Sequence, residues 1–291
     1  MPEPGIALVT GASRGVGQGI AAALGRAGMT VYVSGRTLDG QGSEAVNGQV
    51  LSGNLQETVE LIDRAGGRGI AVACDHADDA QVASLFERIE REQGRLDLLV
   101  NNATFLHPEL LAPQPFWDKP LDMADMLNVG LRSAYVASYY AVPLLLAAPC
   151  GLITFVSSYG ANCYMHGPAY GAQKAGCDKL AADMAVDLEG TGVAAISLWL
   201  GLQQTERSAL AGGAGDVDYS AFLAHAETPE FNGRVIHALL NDPELASLSG
   251  QTLITAELAL RYGITDSNGR QPASLRNQLG APVPVSPARV G

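Results

Sequence analysis

The sequence is poor in charge: Lys, Arg, Asp and Glu make up 16% of 291 residues, with 30 carboxylates against 18 basic side chains for a formal −12. Affinity for nucleic acid rests on Lys and Arg displacing counterions from phosphates, so this balance excludes DNA or RNA as a main partner. Cysteine is scarce too. None of Cys74, Cys150, Cys163 and Cys177 forms a CxxC pair, which points to reduced thiols in a cytoplasmic protein rather than a disulfide framework. Cys163 and His166 lack a second pair to complete four ligands, so no metal is expected. Aromatic residues are only 6%, too few for a Trp- and Tyr-rich recognition surface. The start, Met1-Pro2-Glu3-Pro4 followed by Ile6-Ala7-Leu8-Val9, has no basic segment or long apolar run of a secretory leader. Between Arg132 and Lys174 no charged residue occurs, but Pro143, Pro149 and Gly151 cut the stretch into pieces short of the ~20 residues a membrane span needs.

What the chain does have is apolar content, 47%, and 34 glycines. Short apolar, often β-branched segments recur at 6–10, 30–33, 69–73, 96–100, 152–157, 193–199 and 252–255. Between them lie stretches with helical periodicity, such as Val82, Leu85, Phe86 and Ile89 within 80–93. Alternating β and α elements predict a doubly wound parallel sheet of about seven strands in three layers, an α/β fold. No shift of composition divides it, so residues 1–270 are expected to form one domain that includes the substrate site. Two stretches break the rhythm: 39–53, rich in Gly, Ser, Asn and Gln, reads as a loop insertion, and 271–291, with four of the fifteen prolines, reads as a poorly ordered or surface-docked tail. The small residues of 211–215 suggest a hinge for a substrate lid.

Two constellations carry chemistry. The first strand runs through Thr10-Gly11-Ala12-Ser13-Arg14-Gly15-Val16-Gly17 into a helix expected over 18–28. A glycine-rich turn between a strand and a helix N-terminus sets backbone N–H groups against a pyrophosphate, the Rossmann-type arrangement, and the GxxxGxG spacing is not that of a P-loop. The second is Tyr170 and Lys174, four apart on one helix face. A phenol titrates near pH 10, too high for acid–base work at neutral pH, and an ammonium one turn away favours its phenolate. Such a pair can exchange a proton with a carbonyl or alcohol. Ser157 and Ser158, twelve or thirteen residues upstream at a strand end, supply a hydroxyl to polarise the substrate oxygen. Alternation along a strand sends them to opposite faces. A strand end is held by its ladder, whereas the loop that follows, with Gly160, Gly167 and Pro168, absorbs a deletion, which favours Ser158.

With these motifs in this order, together with Asn101-Asn102-Ala103, Asn128 and Leu248-Ser249-Gly250, the chain resembles the short-chain dehydrogenase/reductase family across nearly all of 5–270. The stretches 128–132, 177–183, 197–199 and 261–263 resemble the subgroup of dehydrogenase/reductase SDR family member 1. The resemblance implies an NAD(P)-dependent oxidoreductase in which Tyr170 protonates a carbonyl oxygen as hydride arrives. Lys174 would bind the nicotinamide ribose and depress the tyrosine pKa, Ser158 would hold the substrate oxygen, and Asn128 would hold a water of the proton relay. Thr10, Gly11, Ser13, Arg14, Gly15 and Val16 would surround the phosphates and adenosine ribose, Asp75 would accept from the adenine, and Asn101 would brace the central strands and line the cleft. Gly17, Ala103, Gly201 and Thr205 complete the expected cofactor set, and a homodimer or homotetramer is the expected assembly.

Cofactor choice is readable at the end of the second strand. Ser34-Gly35-Arg36 offers no carboxylate for a ribose 2′-hydroxyl but a guanidinium suited to a 2′-phosphate, with Arg14 as a second cation, so NADP(H) is expected over NAD(H). Two departures stand out: Thr104 where the family commonly has the glycine of NNAG, and Leu200 where it has the proline of PG. A substrate pocket is expected from 104–117, 163–166 and 204–227, without a substrate being named. Phe116 and Trp117 fit a substrate wall or a core contact, and Ala172, Ala175 and Gly176 fit a subunit interface or packing on the sheet. The alternatives are an NADPH sensor without turnover, which need not keep Asn128, Ser158, Tyr170 and Lys174 together, and an epimerase or dehydratase, whose relatives usually show TGxxGxxG.

Overall fold

A computed structural model describes residues 4–40, 45–46, 49–211 and 226–290. Seven strands form one sheet: β1 (Ile6–Thr10), β2 (Thr30–Gly35), β3 (Arg68–Ala73), β4 (Leu98–Asn101), β5 (Gly151–Ser158), β6 (Val193–Leu200) and β7 (Thr252–Ile254). They lie in the order β3-β2-β1-β4-β5-β6-β7, and every neighbouring pair is parallel. The chain winds outward one way from β1 and the other way from β4. The strand order therefore reverses between them and opens a crevice at their carboxyl ends, where ligands of such sheets bind.

The longer helices are α1 (Gly15–Arg26), α2 (Leu55–Arg64), α3 (Asp79–Gln93), α4 (Ser133–Leu145), α5 (Pro168–Asp187), α6 (Pro229–Leu240) and α7 (Thr255–Tyr262). Because alternate strand residues face opposite ways, the sheet feeds two cores. Ala7 and Val9 join Ile20, Leu24, Ile62, Phe231 and Val235 on the side of α1, α2 and α6. Ile6 and Leu8 join Val82, Phe86, Ala137, Ala141 and Ala181 on the side of α3, α4 and α5. The three expected layers are present, and the strands start and stop within two residues of the apolar segments. Helix α1 begins three residues earlier than the sequence suggests, because Arg14 is its extended N-cap and Gly15 its first residue.

The charge-free stretch 133–173 resolves into α4, strand β5 and the entry to α5. Among the described residues no helix is long and apolar enough to cross a membrane. The insertion is closed at its base: Asn54 caps α2 by accepting from Glu57 N at 2.9 Å and donates to Gly40 O at 3.0 Å. Ala45–Val46 and Gln49–Val50 pair as a short antiparallel ladder within it. Residues 41–44 and 47–48 of the insertion, and 212–215 of the hinge expected at 211–215, lie outside the described residues. The tail is docked: Leu275 N donates to the Tyr159 hydroxyl at 3.0 Å, Asn162 Nδ2 donates to Ala281 O at 2.9 Å, and Arg276 forks onto Glu257.

Candidate active site

The glycine-rich turn is braced from β4. Thr10 Oγ1 donates to Val100 O and accepts from Asn102 N at 3.0 Å and Ala103 N at 2.9 Å. Asn102 Nδ2 returns two bonds, to Thr10 O at 2.8 Å and Gly11 O at 3.0 Å. The turn lies so close that a Cβ on Gly11 would stand 2.6 Å from Ala103 Cα, and one on Gly17 would stand 2.5 Å from Asn102 Nδ2. Only glycine fits. Gly15, at φ 54°, opens towards Thr205, whose Cγ2 is the nearest atom a Cβ there would meet, at 3.6 Å. Thr205 closes the short helix 206–211 by exchanging bonds with Ser208. Ser13 faces Gly35 across the turn, and Val16 turns its side chain into the core. The two asparagines at the end of β4 thus divide the work differently from expectation. Asn102, not singled out from sequence, holds the turn. Asn101 is buried and donates to Ser138 Oγ on α4 at 3.0 Å, so its side chain faces the helix layer rather than the cleft.

A cleft of about 800 Å³ continues from here, lined by Arg36, Asp75, Asp79, Phe105, Asn128 and Arg132 among others. Asp75 Oδ1 accepts from Ala77 N at 3.0 Å. Arg132 forks onto Asp79 at 2.7 and 2.6 Å and holds that carboxyl below the usual range, first through this bond. At the end of β2 the Ser34 hydroxyl is already taken, 2.9 Å from His76 Nε2. Burial pushes His76 down to about 4, so this floor is a neutral imidazole. Asn128 sits where the helix leading to α4 kinks, with Val129 and Gly130 leaving helical geometry, and its amide donates to Asp125 Oδ1 at 3.0 Å.

The candidate catalytic side chains come together where β5 meets α5. Ser158 Oγ and the Tyr170 hydroxyl are 3.0 Å apart. Lys174 Nζ lies 5.5 Å from the Tyr170 ring centroid and donates to Val156 O at 3.0 Å. Ser157 points the other way: its buried hydroxyl donates to Lys174 O at 3.2 Å. Strand alternation thus sets Ser158, and not Ser157, beside Tyr170. Beneath the pair, Asp178 accepts from Ser197 Oγ at 2.6 Å and Trp199 Nε1 at 2.8 Å, which ties α5 to β6, and burial pushes its carboxyl up against those bonds. Leu110, Met123 and Met126 pack with Phe105, Leu106, Ala169 and Tyr170 into an apolar wall. His166, left without a role from sequence, stands edge-on to Tyr170 with ring centroids 5.0 Å apart, and burial, then Lys119, holds its pKa down. Its φ of 60° is the signal that sequence could not supply.

Both family departures have distinct surroundings. Thr104 Oγ1 accepts from Gln173 Nε2 at 2.9 Å and so links the loop after β4 to the helix of Tyr170. Leu200 leads into Gly201, whose N–H donates to Glu227 Oε2 at 3.1 Å. Phe116 and Trp117 are not in a core: they are 62% and 71% exposed and line a second hollow with Tyr164, Pro168, Ala172 and Ala175. That hollow is on another face of α5 than Tyr170 and Lys174, since 168–172 and 171–175 are their own i, i+4 pairs. Gly176, by contrast, packs on Leu131 within the chain.

A family model described as short chain dehydrogenase matches residues 5–211. The chain is 42% identical over 279 residues to dehydrogenase/reductase SDR family member 1 of Homo sapiens, covering 91% of this chain and 84% of that one. A Xanthomonas campestris structure, provisionally described as a dehydrogenase, superposes with a TM-score of 0.74 at 25% identity over 98% of both chains. A short-chain dehydrogenase from Mycobacterium thermoresistibile shares the fold, with a TM-score of 0.75 at 23% identity over 93% of this chain and 92% of that one.

Proposed function

The chain belongs to the short-chain dehydrogenase/reductase family of oxidoreductases, and from that premise we propose that it moves a hydride between NADP(H) and a carbonyl compound or its alcohol, with Tyr170 as acid and base. The observation that carries this reading is the convergence of Ser158 Oγ and the Tyr170 hydroxyl at 3.0 Å, with Lys174 beside the ring.

The residues present fit a dinucleotide. Gly11 and Gly17 let the turn pack directly on the end of β4, and no side chain caps the N-terminus of α1, where free backbone donors favour a pyrophosphate. Lys174 has three N–H donors and spends one on Val156 O, which leaves two for ribose hydroxyls. When bound, the nicotinamide supplies or accepts the hydride. The chain's own groups do the rest: Ser158 Oγ and the Tyr170 hydroxyl hold the substrate oxygen from two sides, and the phenol gives up its proton as that oxygen becomes an alkoxide. The apolar wall of Leu110, Met123 and Met126 keeps water from that side and suits a substrate with an apolar body. Asn128 lines the cleft and would hold a water of the relay once its amide leaves Asp125. Arg36 in the cleft, and the absence of a carboxylate in Ser34-Gly35-Arg36, support NADP(H).

The test is a purified chain titrated with NADPH and NADH by nicotinamide fluorescence, then offered aldehydes, ketones and quinones while the reduced-nicotinamide absorbance is followed. NADPH is expected to bind more tightly and to be consumed only when a carbonyl is present. Failure to bind either dinucleotide would remove the reading.

A further inference from the structure

The proposed reaction makes no use of Glu227, although this carboxylate is only 2% exposed. It stands just before α6, and its bonds run mainly back to the loop that leaves β6. Oε2 accepts from Gly201 N at 3.1 Å and from Gln203 Nε2 at 2.9 Å. Gln203 Nε2 also donates to Gly201 O at 3.0 Å, and Asn232 Nδ2 fixes the far side of the same amide by donating to Gln203 Oε1 at 2.9 Å. The backbones are joined as well: Glu227 N donates to Leu202 O at 2.7 Å and Gln204 N donates to Glu227 O at 2.8 Å. The carboxylate fills the space over Gly201, where a Cβ would come within 2.7 Å of Oε1.

That loop lies beside the chemistry. Leu200 is the register partner of Ser158, so Gly201 is the first residue past the strand end next to the reacting serine. Four residues on, Thr205 faces Gly15 of the phosphate turn. The loop therefore spans the cleft from its reacting end to its phosphate end. Proline before this glycine would fix φ through its ring, and leucine does not.

We propose that Glu227 is a positioning residue for the cofactor: its carboxylate holds the backbone of 201–203 in place behind the nicotinamide half of the cleft, at the point where Leu200 stands instead of proline. The inference rests on the dinucleotide reading given above. Two bonds to one buried carboxylate oxygen restrain the same stretch of backbone that a proline would restrain covalently. The neighbouring charges frame the group without replacing it. Asp266 accepts from Thr228 N and Oγ1, Arg234 approaches Asp266, Arg270 donates to Ala226 O, and Tyr159 lies within range of the Glu227 charge. Burial pushes Glu227 up to about 7, against the bonds from Gln203, Gly201 and Asn232, so the proton it can take is within physiological reach.

The experiment measures Kd and KM for NADPH and kcat in the full chain. Glu227→Ala is expected to raise Kd and KM about tenfold, the scale of a lost hydrogen bond to a charged group, while kcat stays within about threefold. Glu227→Gln keeps an acceptor for Gly201 N–H and is expected to recover most of that affinity. Gln203→Ala removes half of the brace and no buried charge, and about a threefold loss is expected, which keeps the test open if Glu227→Ala does not fold. Asp266→Asn loosens Thr228 at the start of α6 without touching Gly201. It is expected to lower the melting temperature and leave Kd unchanged. Wild-type affinity in both Glu227→Ala and Gln203→Ala, or a loss in Asp266→Asn that tracks stability alike, would overturn the proposal. A wild-type chain that binds no NADPH instead removes the dinucleotide reading itself, and the inference with it.

Discussion

The two ends of the cleft are built by different means. At the phosphate turn, the shape is set by backbone: Thr10 bonds main-chain groups at the end of β4, Asn102 bonds main-chain groups of the turn in return, and the glycines are required because β4 leaves no room for a side chain. At the other end, Ser158, Tyr170, His166 and the apolar wall come from a strand end, a helix and the loops beside them, and side chains make the contacts that shape the site. A site made of backbone tolerates no substitution but serves any dinucleotide. One made of side chains can change its substrate without changing its frame.

Substitutions at each end should separate these roles, and Tyr170→Phe should have the largest effect. It removes one hydroxyl and little surface, so kcat is expected to fall at least ~100-fold, the usual scale of general-acid catalysis, with the NADPH Kd nearly intact. Comparable losses in Kd would mean that the two ends are not separable. Gly17→Ala should do the reverse. Its Cβ would press on Asn102 Nδ2 and on Gly11 O, 2.5 and 2.6 Å away, and relieving that costs about 1–3 kcal/mol. Because the strain falls on the phosphate turn, titration calorimetry should show weaker NADPH binding along with a lower melting temperature.

This contrast also explains which parts could be read in advance. The seven strands and the turn were legible because a buried parallel sheet demands apolar segments and the turn demands glycine at fixed steps. Tyr170 and Lys174 were legible because four residues make one helical turn. Asn102 and Asn101 were not separable, since which of two neighbours faces β1 depends on where β4 ends. His166 needed a left-handed backbone that no local sequence signals, and Glu227 needed the fold to bring it to Gly201, twenty-six residues away. Phe116 and Trp117 show the opposite difficulty: aromatic side chains suggest burial, yet both remain open to solvent here.

A finer comparison is possible within β5. Ser158→Ala takes away a group 3.0 Å from the Tyr170 hydroxyl and should lower kcat about tenfold or more. Ser157→Ala takes away a bond to Lys174 O beneath the site and should cost about 1 kcal/mol of stability with far less effect on turnover. Thermal melts and steady-state kinetics on both variants give the ranking. If Ser157→Ala were the more damaging to kcat, the register of β5 against α5 would have to differ by one residue.

The smallest effect belongs to the exposed rim at the adenosine end, where neither backbone nor packing decides. Arg36 there shares the cleft with Asp75, Asp78 and Asp79. Asp79 is engaged by Arg132, and Asp78 accepts from Gln81 and Ala80 N, so both carboxyls are held below their usual range and stay ionised at neutral pH. A 2′-phosphate entering this rim meets negative charge that Arg36 alone, among the residues at the end of β2, opposes directly. NADH carries no such phosphate and should be nearly indifferent to the change. Arg36→Ala is therefore expected to weaken NADPH several-fold, up to about tenfold, and to leave NADH almost unchanged. Because the guanidinium is exposed, the wild-type preference should also shrink between 50 mM and 500 mM salt, and that slope should be smaller in the variant. Equal NADPH and NADH affinities in the unmodified chain at low salt would assign the choice of cofactor elsewhere, since the rim would then be reading no charge at all.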